Sequence, residues 1–290
     1  MKILSEKLPL EDFIYLNFLY YHWLSPGTAI LLYCMSRDLR RLPLTSPSID
    51  VSCGNGTFTF MALGGLLNPE STIPVQNLPF QFDVGTELHE PFLSQAASLR
   101  FYKQLVAHDN NLPTFPFENE SFATVYCNAL YWLNDPGLFL RELYRVMKPG
   151  AKALFHVMTP ELLRPYDILK RYVDAEMVDQ MDRFKRYPIP HVNYQYPQWK
   201  HAMEAAGFQI TEVVSTVPNL TINMLMNMDL SILDREIKKA MSYVPPKELA
   251  NLRNSWVQKI ACFCRPLLEA EPKYTVENTP YLGFFVEKSL

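Results

Sequence analysis

The stretch Ile49-Asp50-Val51-Ser52-Cys53-Gly54-Asn55-Gly56 decides the fold. Ser48 to Ser52 is a short run of β character that ends in two closely spaced glycines, and Thr57 to Leu67 then reads as a helix. A strand that stops at glycines and turns straight into a helix brings backbone N–H groups to the carboxyl edge of a parallel sheet, where they meet a ligand. The same pair also fits an ordinary tight turn, so the weight falls on the order of features downstream.

That order is strand, helix, strand. Phe80 to Val84 reads as a strand, beyond a proline-rich polar loop over Asn68 to Pro79. Glu90 to Arg100 reads as a helix with Phe92, Leu93, Ala96 and Leu99 on one side, and Gln104 to Ala107 as a third strand. Phe122 to Cys127 is a fourth strand. The next helix has Asp135 as cap, Pro136 at its first position and Lys148-Pro149-Gly150 as its stop. Ala153 to Val157 makes a fifth strand. This alternation implies right-handed crossovers and an α/β fold, a mostly parallel sheet with helices on both faces. Further on, Trp199 to Ala206 is a helix closed by Gly207, Phe208 to Val217 a strand and Tyr281 to Glu287 a last strand. Between these last two lies a segment outside the basic pattern. It carries Met224, Met226, Met228 and Met241, then a helix from Pro245-Pro246 with Leu249, Leu252, Trp256, Ile260 and Phe263 at helical spacing.

A chain of 290 residues with 48% hydrophobic content fills the core of one large domain with additions. A net charge of −3 with dispersed Lys and Arg offers no grip for a phosphate backbone, which argues against nucleic acid as a partner. Cys34, Cys53, Cys127, Cys262 and Cys264 are odd in number and sit mostly in apolar runs, so they read as buried thiols in a reducing compartment. Cys262-x-Cys264 has no second pair at zinc spacing, and no metal is expected. Phe13 to Leu24 is apolar and aromatic but is broken from Ala29 to Met35 by Ser25-Pro26-Gly27. Neither piece reaches the roughly 20 residues that span a bilayer. Glu6, Glu11 and Asp12 are unlike the basic start of a signal peptide, so the chain reads as cytoplasmic and without a membrane span.

Three polar residues stand at strand ends. Glu87 follows the second strand, and a carboxylate there can accept both hydroxyls of a ribose. Asp109 follows the third strand and suits an adenine amino group, while Asn128 ends the fourth. Singly, each also reads as an ordinary surface residue.

Together these segments resemble a known family. IDVSCGNG is similar to the first glycine motif of the type 11 class I S-adenosylmethionine-dependent methyltransferases, and residues 85–96 (GTELHEPFLSQA) to its second-strand motif. Residues 108–155 are similar to its long signature, and AAGFQITEV and YLGFFVEK to its closing strands. The resemblance covers about residues 45–217 and 280–288. It implies a seven-stranded Rossmann-like methyltransferase fold whose last strand is antiparallel and inserted beside its neighbour, with S-adenosylmethionine as cofactor. Carried over by residue, the motif Asp50, Ser52, Cys53, Gly54, Asn55 and Gly56 surrounds the amino acid part of the cofactor. Glu87, followed by Leu88, would take the ribose, Asp109 and Asn110 the adenine, and Asn128 the methionine end. Ser52 stands where the family has its first glycine and Asn55 where it has a small residue. Glu87 lies 31 residues after Gly56, against about 20 in the dinucleotide-binding version of this geometry, an excess assigned to the loop; Asp83 is the alternative acid.

Methyl transfer from a sulfonium is an in-line displacement that positioning alone accelerates. For a hydroxyl acceptor a base helps, and His156 is the first candidate, with Tyr131 and His191 behind it. A histidine in an apolar strand also reads as a satisfied core residue, and Tyr131-Trp132 as packing. Tyr15, Tyr20, Tyr21, His22 and Trp23, with Tyr131 and Trp132, are the candidates for an acceptor pocket, and the methionines for an adaptable wall. The expected division is an N-terminal helical lid (1–45), a methyltransferase domain (46–217 and 280–290) and a helical insertion that is lid or interface (218–279). The expected function is methylation, O-methylation first, of a small, partly hydrophobic molecule. A binding or regulatory subunit, a non-methylating enzyme such as a cyclase, and a homodimer stay open.

Overall fold

Seven strands form one sheet in the order β3-β2-β1-β4-β5-β7-β6. They are β1 (Ser48–Val51), β2 (Val84–Glu87), β3 (Gln104–Ala107), β4 (Phe122–Cys127), β5 (Met147–Met158), β6 (Gln209–Ser215) and β7 (Tyr281–Glu287). The computed structural model of the chain describes residues 8–67, 78–181, 191, 194–217, 234–269 and 275–290. β1 pairs in parallel with β2 (Ile49↔Val84) and with β4 (Val51↔Cys127), and β4 with β5 (Cys127↔Phe155). β7 runs antiparallel to both β5 and β6. The chain steps outward from β1 to β3 and then returns to β4, so the order reverses between β1 and β4, the place where open α/β sheets bind ligands.

The helices are α1 (Leu10–Tyr21), α2 (Pro26–Arg41), α3 (Thr57–Ala62), α4 (Glu90–Ser98), α5 (Pro136–Val146), α6 (Arg164–Leu169), α7 (Ala175–Met181), α8 (Tyr196–Ala205), α9 (Asp234–Met241) and α10 (Pro246–Glu269). All four residues of β1 are buried, as a central parallel strand covered on both faces requires. Along α5, Phe139, Leu140, Leu143 and Val146 are buried at helical spacing, and Asp135 accepts a hydrogen bond from the N–H of Leu138 at 2.8 Å.

Several expected boundaries move. The second strand is Val84–Glu87 rather than Phe80–Val84, because the ladder to β1 begins at Val84. Phe80 and Phe82 instead join an aromatic cluster with Phe101 and Tyr102. The helix expected over Thr57 to Leu67 stops at Ala62, ahead of Gly64 at φ 97°. α5 ends at Val146 and not at Lys148-Pro149-Gly150, since Met147 already pairs with Phe122. On α10 the buried positions are Arg253, Val257, Ile260, Ala261, Cys264 and Leu268, while Leu252, Trp256 and Phe263 are exposed. Contacts with α1 set this rotation: Tyr15 donates to the carbonyl of Ala261 at 2.9 Å, and Arg253 lies over the rings of Tyr20 and Trp23. Of the cysteines, all free, Cys34, Cys127 and Cys264 are buried, but Cys53 is half-buried and Cys262 exposed. Met224, Met226 and Met228 lie outside the described residues. No helix among the described residues is long and apolar enough to cross a membrane.

Candidate functional site

A cleft of about 740 Å³ opens at the carboxyl edge of β1, β2, β3 and β4. Ser52 enters it after β1, and Glu87, Leu88, His89 and Phe92 enter at the junction of β2 and α4. His108, Asp109, Asn110 and Asn111 follow β3, and Asn128, Ala129, Tyr131, Trp132 and Leu133 follow β4.

The glycine loop turns through three residues of positive φ: Ser52 at 55°, Gly54 at 58° and Gly56 at 73°. The N–H of Cys53 donates to the carbonyl of Thr86 at 2.8 Å, which ties the loop to β2. Glu87 closes the tie: Oε2 accepts from the Gly54 N–H at 3.1 Å and Oε1 from the His89 N–H at 2.9 Å. Each oxygen has spent one acceptor position and keeps capacity for a further donor. The carboxylate is buried on the cleft wall, held by backbone donors, and is the acid suited to a pair of ribose hydroxyls. Asp83, the alternative, stands at the opposite end of β2, bonded to Ser46, Ser48 and Lys103. Burial opposes its ionisation, but those hydrogen bonds bring its pKa down to about 2.

Other motif residues support the loop from behind. Gly56 packs against Tyr102, whose ring would lie 2.8 Å from an added Cβ, so glycine is required there by packing as well as by φ. Asn55 turns back to α3, its Oδ1 accepting from the Thr57 hydroxyl at 2.7 Å. Asp50 is buried beneath the loop and accepts from Tyr102 at 2.6 Å and Thr59 at 2.8 Å. Burial raises its pKa to about 7 against the lowering effect of those two bonds. Burial likewise pushes the Cys53 thiol up, so it is no ready nucleophile. None of Asp50, Cys53, Gly54, Asn55 and Gly56 lines the cleft.

After β3, Asp109 is occupied locally, with Oδ1 accepting from the Asn111 N–H at 2.9 Å and its side-chain amide at 3.1 Å. Asn110 is 8% exposed and its amide nitrogen donates to Ser52 Oγ at 2.7 Å. Asn110 Oδ1 and His108 Nε2 are buried without a partner among the described residues. Burial lowers the His108 pKa against the opposing charge of Asp109, so its ring is neutral near pH 7. His89, Phe92, His108, Asn111, Ala129 and Leu133 line the cleft but were not named as site residues from sequence. Position next to a named residue was the only signal for four of them, and His89 and Phe92 lie within the second-strand motif.

The residues expected to act on an acceptor divide. Tyr131 and Trp132 line the cleft; Tyr131 is buried and Trp132 exposed. Burial raises the Tyr131 phenol well above its ordinary range, and Tyr281 adds to the effect. His191 stands beside them: its N–H donates to the Tyr131 carbonyl at 3.3 Å, and its Nε2 lies 3.1 Å from the Asn134 carbonyl. His156 is elsewhere. It is fully buried on β5, with Nδ1 3.1 Å from the Tyr126 hydroxyl and Nε2 3.2 Å from Asp38 of α2. A carboxylate only accepts, so His156 Nε2 donates to Asp38. It joins the N-terminal helices to the sheet and does not reach the cleft. Tyr20, Tyr21, His22 and Trp23 do not line the cleft either. Tyr20 is buried beside Arg253, the Trp23 carbonyl accepts from Trp256 at 2.9 Å, and burial lowers the His22 pKa to about 4. Tyr15 is buried in the same packing.

Residues 75–155 match the methyltransferase domain family Methyltransf_11. No curated protein matches the chain. Among solved structures, the 4+2 cyclase SpnF is similar with a TM-score of 0.53 at 15% identity, over 89% of this chain and 81% of that one. Phosphoethanolamine N-methyltransferase 2 of Haemonchus contortus, in complex with S-adenosyl-L-methionine, gives 0.53 at 14% identity over 100% of this chain and 60% of that one. The same protein with phosphomonomethylethanolamine and S-adenosylhomocysteine gives 0.52 at 15% identity, with the same coverage. At these identities the likeness is one of fold.

Proposed function

We propose that this chain, a class I S-adenosylmethionine-dependent methyltransferase by its matched domain and its sheet, transfers a methyl group to a small, partly hydrophobic acid. The observation that carries the cofactor reading is the buried Glu87 carboxylate, tied to the Gly54 and His89 N–H groups at the point where strand order reverses. In this reading Glu87 takes the ribose and Ser52, the one residue of the glycine motif that lines the cleft, meets the amino acid end. Asn128 faces the end where transfer occurs.

The bound sulfonium supplies an activated methyl group, and the protein supplies alignment and exclusion of water. Among the described residues, the lining on the Asn128 side consists of Asn128, Ala129, Tyr131, Trp132 and Leu133, with neither carboxylate nor imidazole. Tyr131, held protonated by burial, does not act as a base. The Asn128 amide beside this apolar and aromatic surface suits an acceptor oxygen that is already ionised, such as a carboxylate, which needs no base at neutral pH. O-methylation of a carboxylic acid is therefore the reading that this half of the cleft supports best.

The test uses cofactor labelled in its methyl group with a panel of aliphatic and aromatic carboxylic acids, alcohols and amines. Label recovered as a methyl ester supports the proposal. Label on alcohols or amines alone contradicts the acceptor class, and a rearranged product with unspent cofactor favours a non-methylating reaction.

A further inference from the structure

Tyr102 stands between α4 and β3, outside every motif that carries the family resemblance, yet its side chain reaches the glycine loop. Its ring lies against two glycines. A Cβ added at Gly56 would come within 2.8 Å of the ring, and one added at Gly85 would come equally close. Gly56 also needs glycine for its φ of 73°, but Gly85 is a strand residue, so the space it leaves serves the Tyr102 ring and the neighbouring Leu105.

The hydroxyl completes the contact set. It donates to Asp50 Oδ2 at 2.6 Å and lies 2.7 Å from the Thr59 hydroxyl, which itself donates to Asp50 at 2.8 Å. Burial, with the Asp50 charge beside it, raises this phenol well above its ordinary range and keeps it a donor. One side chain thus touches the end of β1, the glycine loop, the first turn of α3, and β2 two residues before Glu87.

We infer that Tyr102 is a positioning residue for the cofactor, setting the glycine loop against β2 and so the spacing between Ser52 and Glu87. It does not line the cleft and touches no ligand itself. The tie it backs is the bond from the Gly54 N–H to Glu87 Oε2 at 3.1 Å, which has Gly56 two residues away on one side and Gly85 two residues away on the other. A shift of the ring therefore moves both partners of that bond, and a binding site tolerates only a fraction of an ångström of such movement. The inference rests on the cofactor reading above and adds to it the residue that holds the two halves of the site in register.

The test is calorimetric titration of the full chain with S-adenosylhomocysteine, with urea unfolding of each variant alongside. Tyr102→Phe keeps the ring and removes the hydroxyl, and is expected to weaken binding about tenfold, the scale of one lost hydrogen bond to a charged group. Tyr102→Leu removes the ring as well and weakens it further. Thr59→Val breaks the same set and weakens binding, whereas Thr59→Ser keeps the hydroxyl and restores it. Combining Tyr102→Phe with Thr59→Val loses less than the product of the two, because both act through Asp50. Tyr33→Phe deletes a tyrosine hydroxyl bonded to Glu11 at 3.0 Å in the N-terminal helices; it lowers stability and leaves affinity unchanged. Folded Tyr102 variants that bind as wild type does, while Glu87→Ala is weakened, overturn the inference and spare the cofactor reading. An equal loss of affinity in Tyr33→Phe also overturns it, since the effect is then general destabilisation. Where the Tyr102 variants do not fold, the Thr59 pair decides, and equal affinity of Thr59→Val and Thr59→Ser overturns it. Failure of the wild type to bind removes both readings.

Discussion

Asp50 shows how a motif residue can support the glycine loop without lining the cleft. It is buried under the turn, and its hydrogen bonds from Tyr102 and Thr59 anchor the end of β1 to α3 and to the segment before β3. Its folded pKa of about 7 lies above the ordinary 3.8, so the folded state holds a proton that the unfolded state has already released. Stability tied to Asp50 is therefore complete below about pH 4 and falls as pH rises toward 7, by roughly 4 kcal/mol at most. Urea unfolding across that window is expected to show the decline in wild type and a much flatter profile in Asp50→Asn; equal profiles would contradict the account. His156 gives the complementary case. It was the first candidate for a base, and its two partners, Tyr126 and Asp38, were invisible to local pattern because Asp38 lies 118 residues away. His156→Ala is expected to destabilise the fold by about 3 kcal/mol, as loss of a buried paired group does. Its affinity for S-adenosylhomocysteine should stay within about twofold, since a latch outside the cleft has no contact to lose.

Elements whose signals are local were legible, and those placed by tertiary contact were not. Gln104–Ala107, Phe122–Cys127 and Tyr281–Glu287 stand where the sequence put them. The start of α5 does too, because Asp135 and Pro136 act within one turn. Asp135→Ala is expected to cost about 1 kcal/mol in chemical denaturation, the usual loss on removing an N-cap. The second strand was misplaced because Phe80 and Phe82 look like strand residues but pack as a cluster, whereas Gly85, a poor strand former, is held by the ladder to β1. The face of α10 was misread for a similar reason. Helical spacing reports a stripe but not which neighbour it meets, and Arg253 is drawn inward by the Tyr20 and Trp23 rings that lie far away in sequence.

At the scale of the whole molecule, the cleft is assembled from the ends of four strands that only the sheet order brings together. Sequence reading named the members that end strands or repeat a motif, Ser52, Glu87, Leu88, Asp109, Asn110 and Asn128, and the structure gathers all six. It placed Tyr20 to Trp23 at the same site on aromatic character alone, and packing against α10 takes them away from it. The central claim is that Glu87, at the reversal of strand order, holds the ribose of S-adenosylmethionine. Calorimetric titration with S-adenosylhomocysteine, on wild type and on Glu87→Ala, tests it most directly. The account predicts saturable wild-type binding that Glu87→Ala weakens roughly a hundredfold, as loss of a charged hydrogen-bond acceptor from both hydroxyls requires. Wild-type binding that Glu87→Ala leaves intact, in a variant with native circular dichroism, would contradict it.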